Sequence, residues 1–186
     1  SLIDLNRAGA ALMEIVTAPD MASGEEAALF VRKLQVLLRH IGTCDGNMEE
    51  GSLRCDVNVS LQREGGAAGT RVEVKNLNSL RQIARAVEFE EQRQRSILES
   101  GESVVTETRT FDARSASTMA LRGKELSWDY RFMPEPDLPP LILTCSDVET
   151  AAASLPELPD AAESRLIEEM GLRPDIAKVL VYELGG

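Results

Sequence analysis

Two acidic residues, Glu49 and Glu50, stand immediately before a run of strict alternation. In it Leu53, Cys55, Val57, Val59 and Leu61 share one parity, and Arg54, Asp56, Asn58 and Ser60 share the other. A glycine-rich stretch, Arg63 to Gly69, leads into a second alternating run, Arg71 to Lys75. The two runs predict an antiparallel hairpin with one apolar and one wet face. Registers that set Val59 beside Val72 and Val57 beside Val74 place Asn58 beside Glu73 and Asp56 beside Lys75, because facing residues share a side of the sheet. Carboxylates in such a row suit Mg²⁺, and Lys75 and Arg54 suit phosphate oxygens, the combination that phosphoryl transfer requires. The same row also describes a solvated sheet face with ordinary cross-strand ion pairs, and pattern leaves both readings open.

Glu14 interrupts the apolar run ALMEIV, residues 11–16, which reads as a buried strand leading into the turn at Ala18-Pro19-Asp20. An ionised carboxylate inside a buried strand needs a partner or a metal. His40 falls at the end of a helical pattern, where a histidine complements the helix dipole. Cys44, Cys55 and Cys145 have neither CxxC spacing nor a neighbouring base, which fits no zinc site, disulfide framework or nucleophile. Trp128, Tyr130 and Phe132 alternate in a short strand-like run, Trp128 to Met133, as core aromatics do or as a stacking platform would. Neither a GxxxxGK[ST] loop nor a GxGxxG fingerprint is present, so any nucleotide is held by another architecture.

Positioning these groups requires an α+β fold. Ser23 and Glu26 form a capping-box pair, and Ala27, Phe30, Val31, Leu34, Leu38 and Ile41 recur at helical spacing until Gly42. Asn76 to Ser79 ends the second strand and caps a long helix that runs to about Gly101, whose charged middle, EFEEQRQR, reads as solvent-facing. Val104 to Phe111 alternates again, and Pro134 to Pro140 reads as a stiff extended connector. Beyond Thr144 the composition turns helical, broken at Leu155 to Pro159. The expected organisation is an antiparallel sheet cradle with flanking helices over residues 1–145, followed by the start of an all-helical domain over residues 146–186.

A net charge of −11, from 20 Lys+Arg against 31 Asp+Glu, argues against broad attraction to phosphate backbones, so any nucleic-acid contact is local. No apolar run approaches the roughly 20 residues that span a bilayer, and no membrane association is expected. Unpaired cysteines suit a reducing compartment. The chain opens Ser-Leu-Ile-Asp without Met and closes Glu-Leu-Gly-Gly within a helical pattern, so both ends read as cut.

Four motifs in order, LNRAGAALMEIVTAPDM, NMEEGSLRCDVNVS, EVKNLNS and DYRFMPEPDLPPL, resemble the B subunits of glutamyl/aspartyl-tRNA amidotransferases. The resemblance covers nearly the whole chain. It implies a kinase-like role in which ATP and Mg²⁺ phosphorylate the side-chain carboxylate of Glu or Asp carried by a misacylated tRNA. Ammonia, released from glutamine by a partner amidase (A) subunit, then forms Gln-tRNA(Gln) or Asn-tRNA(Asn), and a small C subunit completes the complex. On this chain the resemblance makes Glu14, Glu49 and Glu50 the metal-side residues. It sets Arg54, Asp56, Lys75, Asn76 and Asn78 around phosphate or the activated carboxylate, with Arg54 and Lys75 as nucleotide contacts. Relative to the family pattern an N-terminal strand with a Glu-x-His motif, most of the helical domain and the tail domain are missing, and the isolated chain is expected not to turn over. MPEPDLPPL is more similar to mitochondrial members, which points to the mitochondrial matrix, with bacterial cytoplasm as the alternative. The reading from another class is a non-catalytic scaffold whose polar sheet face docks partner subunits.

Overall fold

The computed structural model describes residues 12–63, 65–121 and 137–182. The first helix, α1 (Gly24–His40), begins where expected: the Ser23 hydroxyl accepts from the Glu26 amide at 3.1 Å, and the Glu26 carboxylate reaches back to the Ala22 amide at 2.7 Å. It closes at Gly42, whose φ of +71° is open to glycine at little cost. His40, in the last turn, donates from Nε2 to the Glu157 carbonyl at 2.8 Å and takes no part in the cleft described below.

Strands β1 (Cys55–Val59) and β2 (Val72–Leu77) form the expected antiparallel hairpin, with Val59 facing Val72, Asn58 facing Glu73 and Val57 facing Val74. The register then slips, and Cys55 faces Leu77. One extra residue of β2 is accommodated there, in a bulge where Asn76 takes a left-handed φ of +64°. Asparagine is among the few residues other than glycine that adopt this conformation readily.

The long helix α2 (Leu80–Glu99) follows, capped by Ser79, and returns the chain to β3 (Thr108–Asp112), which lies parallel to β2. A parallel neighbour requires a crossover, and α2 supplies it. The short strand β4 (Ser117–Ala120) then pairs antiparallel with β3. The sheet order is β1-β2-β3-β4 and the class is α+β, but the sheet is mixed where an antiparallel one was expected. Strand β4 had no clear alternation to announce it, being only four residues long. Its turn is built by the Asp112 carboxylate, which accepts from the Arg114 and Ser115 amides.

Helix α2 covers the apolar face of the sheet, and α1 packs against α2. Val74, Leu77, Ile83, Ala86, Phe111, Ala27, Val31 and Met48 form the core. The two helices cross where Gly24 meets Ala84, so closely that a Cβ on Gly24 would lie 2.4 Å from the Ala84 carbonyl oxygen. Gly24→Ala is therefore expected to lower stability by about 1–3 kcal/mol through overpacking, read as a drop in the urea midpoint with an unchanged slope.

Two further expectations are corrected. Leu12 to Val16 is not a buried strand: the segment makes no ladder among the described residues, Glu14 is exposed, and Val16 is 82% exposed. An apolar run becomes a buried strand only with a neighbour to pair with and a face to cover, and the described sheet offers it neither. The charged middle of α2 is not solvent-facing throughout either, since Glu90 is 0% and Gln94 1% exposed. They continue the inward stripe of Ile83 and Ala86 at helical spacing.

After the connector, whose Asp137 to Pro140 portion is exposed, α3 (Cys145–Ser154) opens with a full capping box between Thr144 and Asp147. Helices α4 (Pro159–Glu168) and α5 (Pro174–Tyr182) follow, and Lys33 of α1 meets Asp160 at 2.7 Å. The expected strand at Trp128 to Met133 lies outside the described residues, as do Pro134 to Pro136.

Candidate active site

The acidic turn is built by its own backbone. The Asn47 carbonyl accepts from the Ser52 amide at 3.0 Å, the Met48 carbonyl accepts from the Gly51 amide at 3.2 Å, and Gly51 takes a φ of +80°. Met48 is buried in the core and acts as the anchor, which leaves Glu49 and Glu50 exposed on a held turn. The turn and the β2 bulge face each other across a cleft of about 310 Å³. Glu49, Glu50, Arg54, Asp56, Asn76 and Asn78 all line it.

Beside the cleft, the wet face of the sheet carries a linked row. Lys75 Nζ lies 3.4 Å from Asp56 Oδ2 and 3.1 Å from Glu73 Oε1. The Asp56–Lys75 contact therefore forms although the bulge has moved the two out of direct opposition. Partial burial alone would lower the Lys75 pKa, but the hydrogen bond to Glu73 and the charge of Asp56 outweigh it and hold the ammonium above its ordinary value. Lys75 is thus a fixed positive charge, not a base.

The structure brings together seven of the eight residues expected at the site, counting Lys75 through its contact with Asp56. Glu14 is the exception, since it sits on the exposed segment and does not line the cleft. Among the described residues no three His, Cys, Asp or Glu side chains converge as a metal cage. One or two of the carboxylates of Glu49, Glu50 and Asp56, which line the cleft, would suffice for Mg²⁺ in a nucleotide site, where water and phosphate fill the remaining positions.

Two residues escaped the sequence reading. The Thr108 hydroxyl donates to Glu73 Oε2 at 3.0 Å, and Asn76 Nδ2 donates to Thr110 Oγ1 at 3.0 Å. Both threonines belong to β3, so the polar row continues onto a third strand. The alternation of threonines from Thr106 to Thr110 was visible, but not the strand it would pair with.

Cys55 borders the cleft but packs against the core, and burial, with Asp56 adding to it, pushes its thiol up to about 11, so it is no nucleophile. Iodoacetamide at pH 8 is expected to label exposed Cys145 and leave Cys55 largely unmodified, as read by peptide mass spectrometry.

A profile of the GatB/GatE catalytic domain matches residues 1–149. The chain belongs to the GatB/GatE family. It is 55% identical over 183 residues to the B subunit of the aspartyl/glutamyl-tRNA(Asn/Gln) amidotransferase of Rickettsia bellii (strain RML369-C), covering 98% of this chain and 38% of that one. The B subunit of the same name from Bartonella tribocorum (strain CIP 105476 / IBS 506) is 52% identical over 183 residues, covering 98% of this chain and 37% of that one. The chain thus spans a little over a third of the length of these relatives, and the GatB/GatE match takes in α1, α2, all four strands and the whole cleft.

Proposed function

We propose that this chain carries the phosphorylating site of a tRNA-dependent amidotransferase, and that the cleft activates the side-chain carboxylate of Glu or Asp esterified to tRNA. The observation that carries the reading is the placement of Lys75, a held cation, beside a cleft lined by Arg54 and three carboxylates. Family membership supports it, because the relatives are named as tRNA amidotransferase subunits.

In this reading one oxygen of the substrate carboxylate attacks the γ-phosphorus of ATP, the bond to the ADP oxygen breaks, and ADP leaves. Ammonia then adds to the acyl carbon and loses a proton, and the acyl–oxygen bond breaks to release phosphate and the amide. Lys75 and Arg54 stabilise the negative charge spread over the transferring phosphoryl oxygens. Asn76 and Asn78, on the β2 bulge and just ahead of the α2 cap, orient the carboxylate. One or two of the carboxylates of Glu49, Glu50 and Asp56 would hold Mg²⁺, which would supply positive charge against the phosphates.

Ammonia comes from a partner amidase subunit, with a small third subunit in the complex. The acidic chain leaves the grip on tRNA to other parts of the full protein. The relatives named above are bacterial, which favours the bacterial cytoplasm over the mitochondrial matrix. The test is stoichiometry in the assembled enzyme: one ADP per amide formed, with ADP release dependent on misacylated tRNA. Amide formation at full rate without ATP would contradict the proposal.

A further inference from the structure

The row of polar groups on the sheet does not stop at the residues that line the cleft. In the parallel ladder Thr110 stands opposite Lys75, with its neighbour Asn76 in the bulge. Asn76 sits at φ +64°, a conformation that asparagine adopts readily, and its surroundings fix it there. Two constraints do so here. One is the ladder on either side, Val57 with Val74 and Cys55 with Leu77. The other is the side-chain bond from Asn76 Nδ2 to Thr110 Oγ1 at 3.0 Å.

That bond commits one end of the amide. With Nδ2 turned to β3, the amide has one orientation, and Oδ1 lies on its other side. Asn76 is an exposed residue lining the cleft, so without the bond its side chain would be free to rotate in water. Thr108 does the same for the neighbouring position two residues back along β3: its hydroxyl holds Glu73, which in turn holds Lys75.

We infer that Thr110 is a positioning residue of the cleft, which holds the Asn76 amide in the orientation that meets the substrate. It acts through Asn76 and touches no reacting atom. The inference rests on the proposed function for its catalytic consequence, but not for the hold itself.

The test uses the assembled full-length enzyme carrying T110V, which keeps the shape and removes the hydroxyl. Turnover is expected to fall by about 10- to 100-fold, mainly in kcat, with the thermal midpoint little changed and with T110S recovering most of the loss. In an N76A background the T110V change is expected to have no further effect. A T110V loss of equal size in that background would overturn the inference, as would full activity in T110V alone. Crystal structures of the wild-type and T110V enzymes decide the hold apart from activity. An Asn76 amide that turns away in T110V supports it, and one that stays in place overturns it. If the wild-type assembly formed no amide with ATP, the proposed function would fail, and the crystal structures would still decide the hold.

Discussion

Replacing Lys75 by alanine in the assembled amidotransferase is expected to slow amide formation by about 10²- to 10³-fold, the usual cost of removing one preorganised charge from a transition state. The position is specific. Lys75 lies between Asp56 and Glu73 on a rigid strand, so its charge is held in place and not free to be replaced by a neighbour. The same contacts contribute little to stability, because Lys75 and both carboxylates are partly exposed and such pairs are worth about 0–1 kcal/mol. Folding and subunit assembly should therefore survive. Adding Glu50→Ala separates the proposed chemistry from a scaffold role. If the polar face only docks a partner, the double variant loses assembly on size-exclusion chromatography, and whatever complex forms keeps normal activity per molecule. If the face does chemistry, assembly stays and transamidation goes.

The largest expected effect on stability is at Glu90. Its carboxylate is fully buried between α2 and the β3–β4 hairpin, with Arg93 Nη2 at 2.6 Å, Gln94 Nε2 at 3.0 Å, the Thr118 hydroxyl at 3.1 Å and Arg109 Nε at 3.6 Å. Arg109 also binds Glu107 and the Thr118 carbonyl, and Gln94 binds the Val59 carbonyl, so one carboxylate ties α2 to β1, β3 and β4. Glu90→Ala removes the buried acceptor of Arg93, Gln94 and the Thr118 hydroxyl and leaves both guanidinium groups with Glu107 as their remaining carboxylate, and a loss of about 3 kcal/mol is expected, measured from the urea unfolding midpoint. The pH dependence follows from the same contacts. Burial pushes the Glu90 pKa up, but the bonds from Arg93, Gln94 and Thr118 and the charge of Arg93 outweigh it and hold the pKa below its ordinary 4.5. The unfolded chain thus binds the proton more readily, and stability rises with pH through that window. The contribution is fully present above pH 4.5 and is lost as the pH falls through the depressed folded value. Glu90→Gln should flatten the stability profile in that acid range.

Where local patterns decided, the sequence could be read. Alternation alone set the β1–β2 register at three of its pairs, and Ser23, Gly42 and Ser79 marked helix ends that the structure keeps. The cleft could be read too, because Glu49, Glu50, Arg54, Asp56, Asn76 and Asn78 lie in two short segments that one hairpin brings together. What stayed hidden depends on distant partners. That β3 lies parallel to β2 follows from the α2 crossover, and no feature of Thr108 or Thr110 encodes it. The bulge at Asn76 is a one-residue slip that alternation cannot show. At Glu90 the signal was present: Ile83, Ala86, Glu90 and Gln94 make a helical stripe, obscured by the charge around it. The burial expected around Glu14 does not form for the opposite reason, since an apolar run implies burial only where a neighbouring strand is there to pair with it.

The most direct test follows an oxygen atom. Glutamate labelled with ¹⁸O in both side-chain carboxylate oxygens is esterified to the tRNA, the assembled enzyme converts it with ATP and an ammonia donor, and the phosphate released is analysed by mass spectrometry. Activation in this cleft predicts one ¹⁸O transferred to phosphate for each amide formed, because the oxygen that attacks phosphorus departs with it. Phosphate that carries no ¹⁸O while amide accumulates would contradict the account.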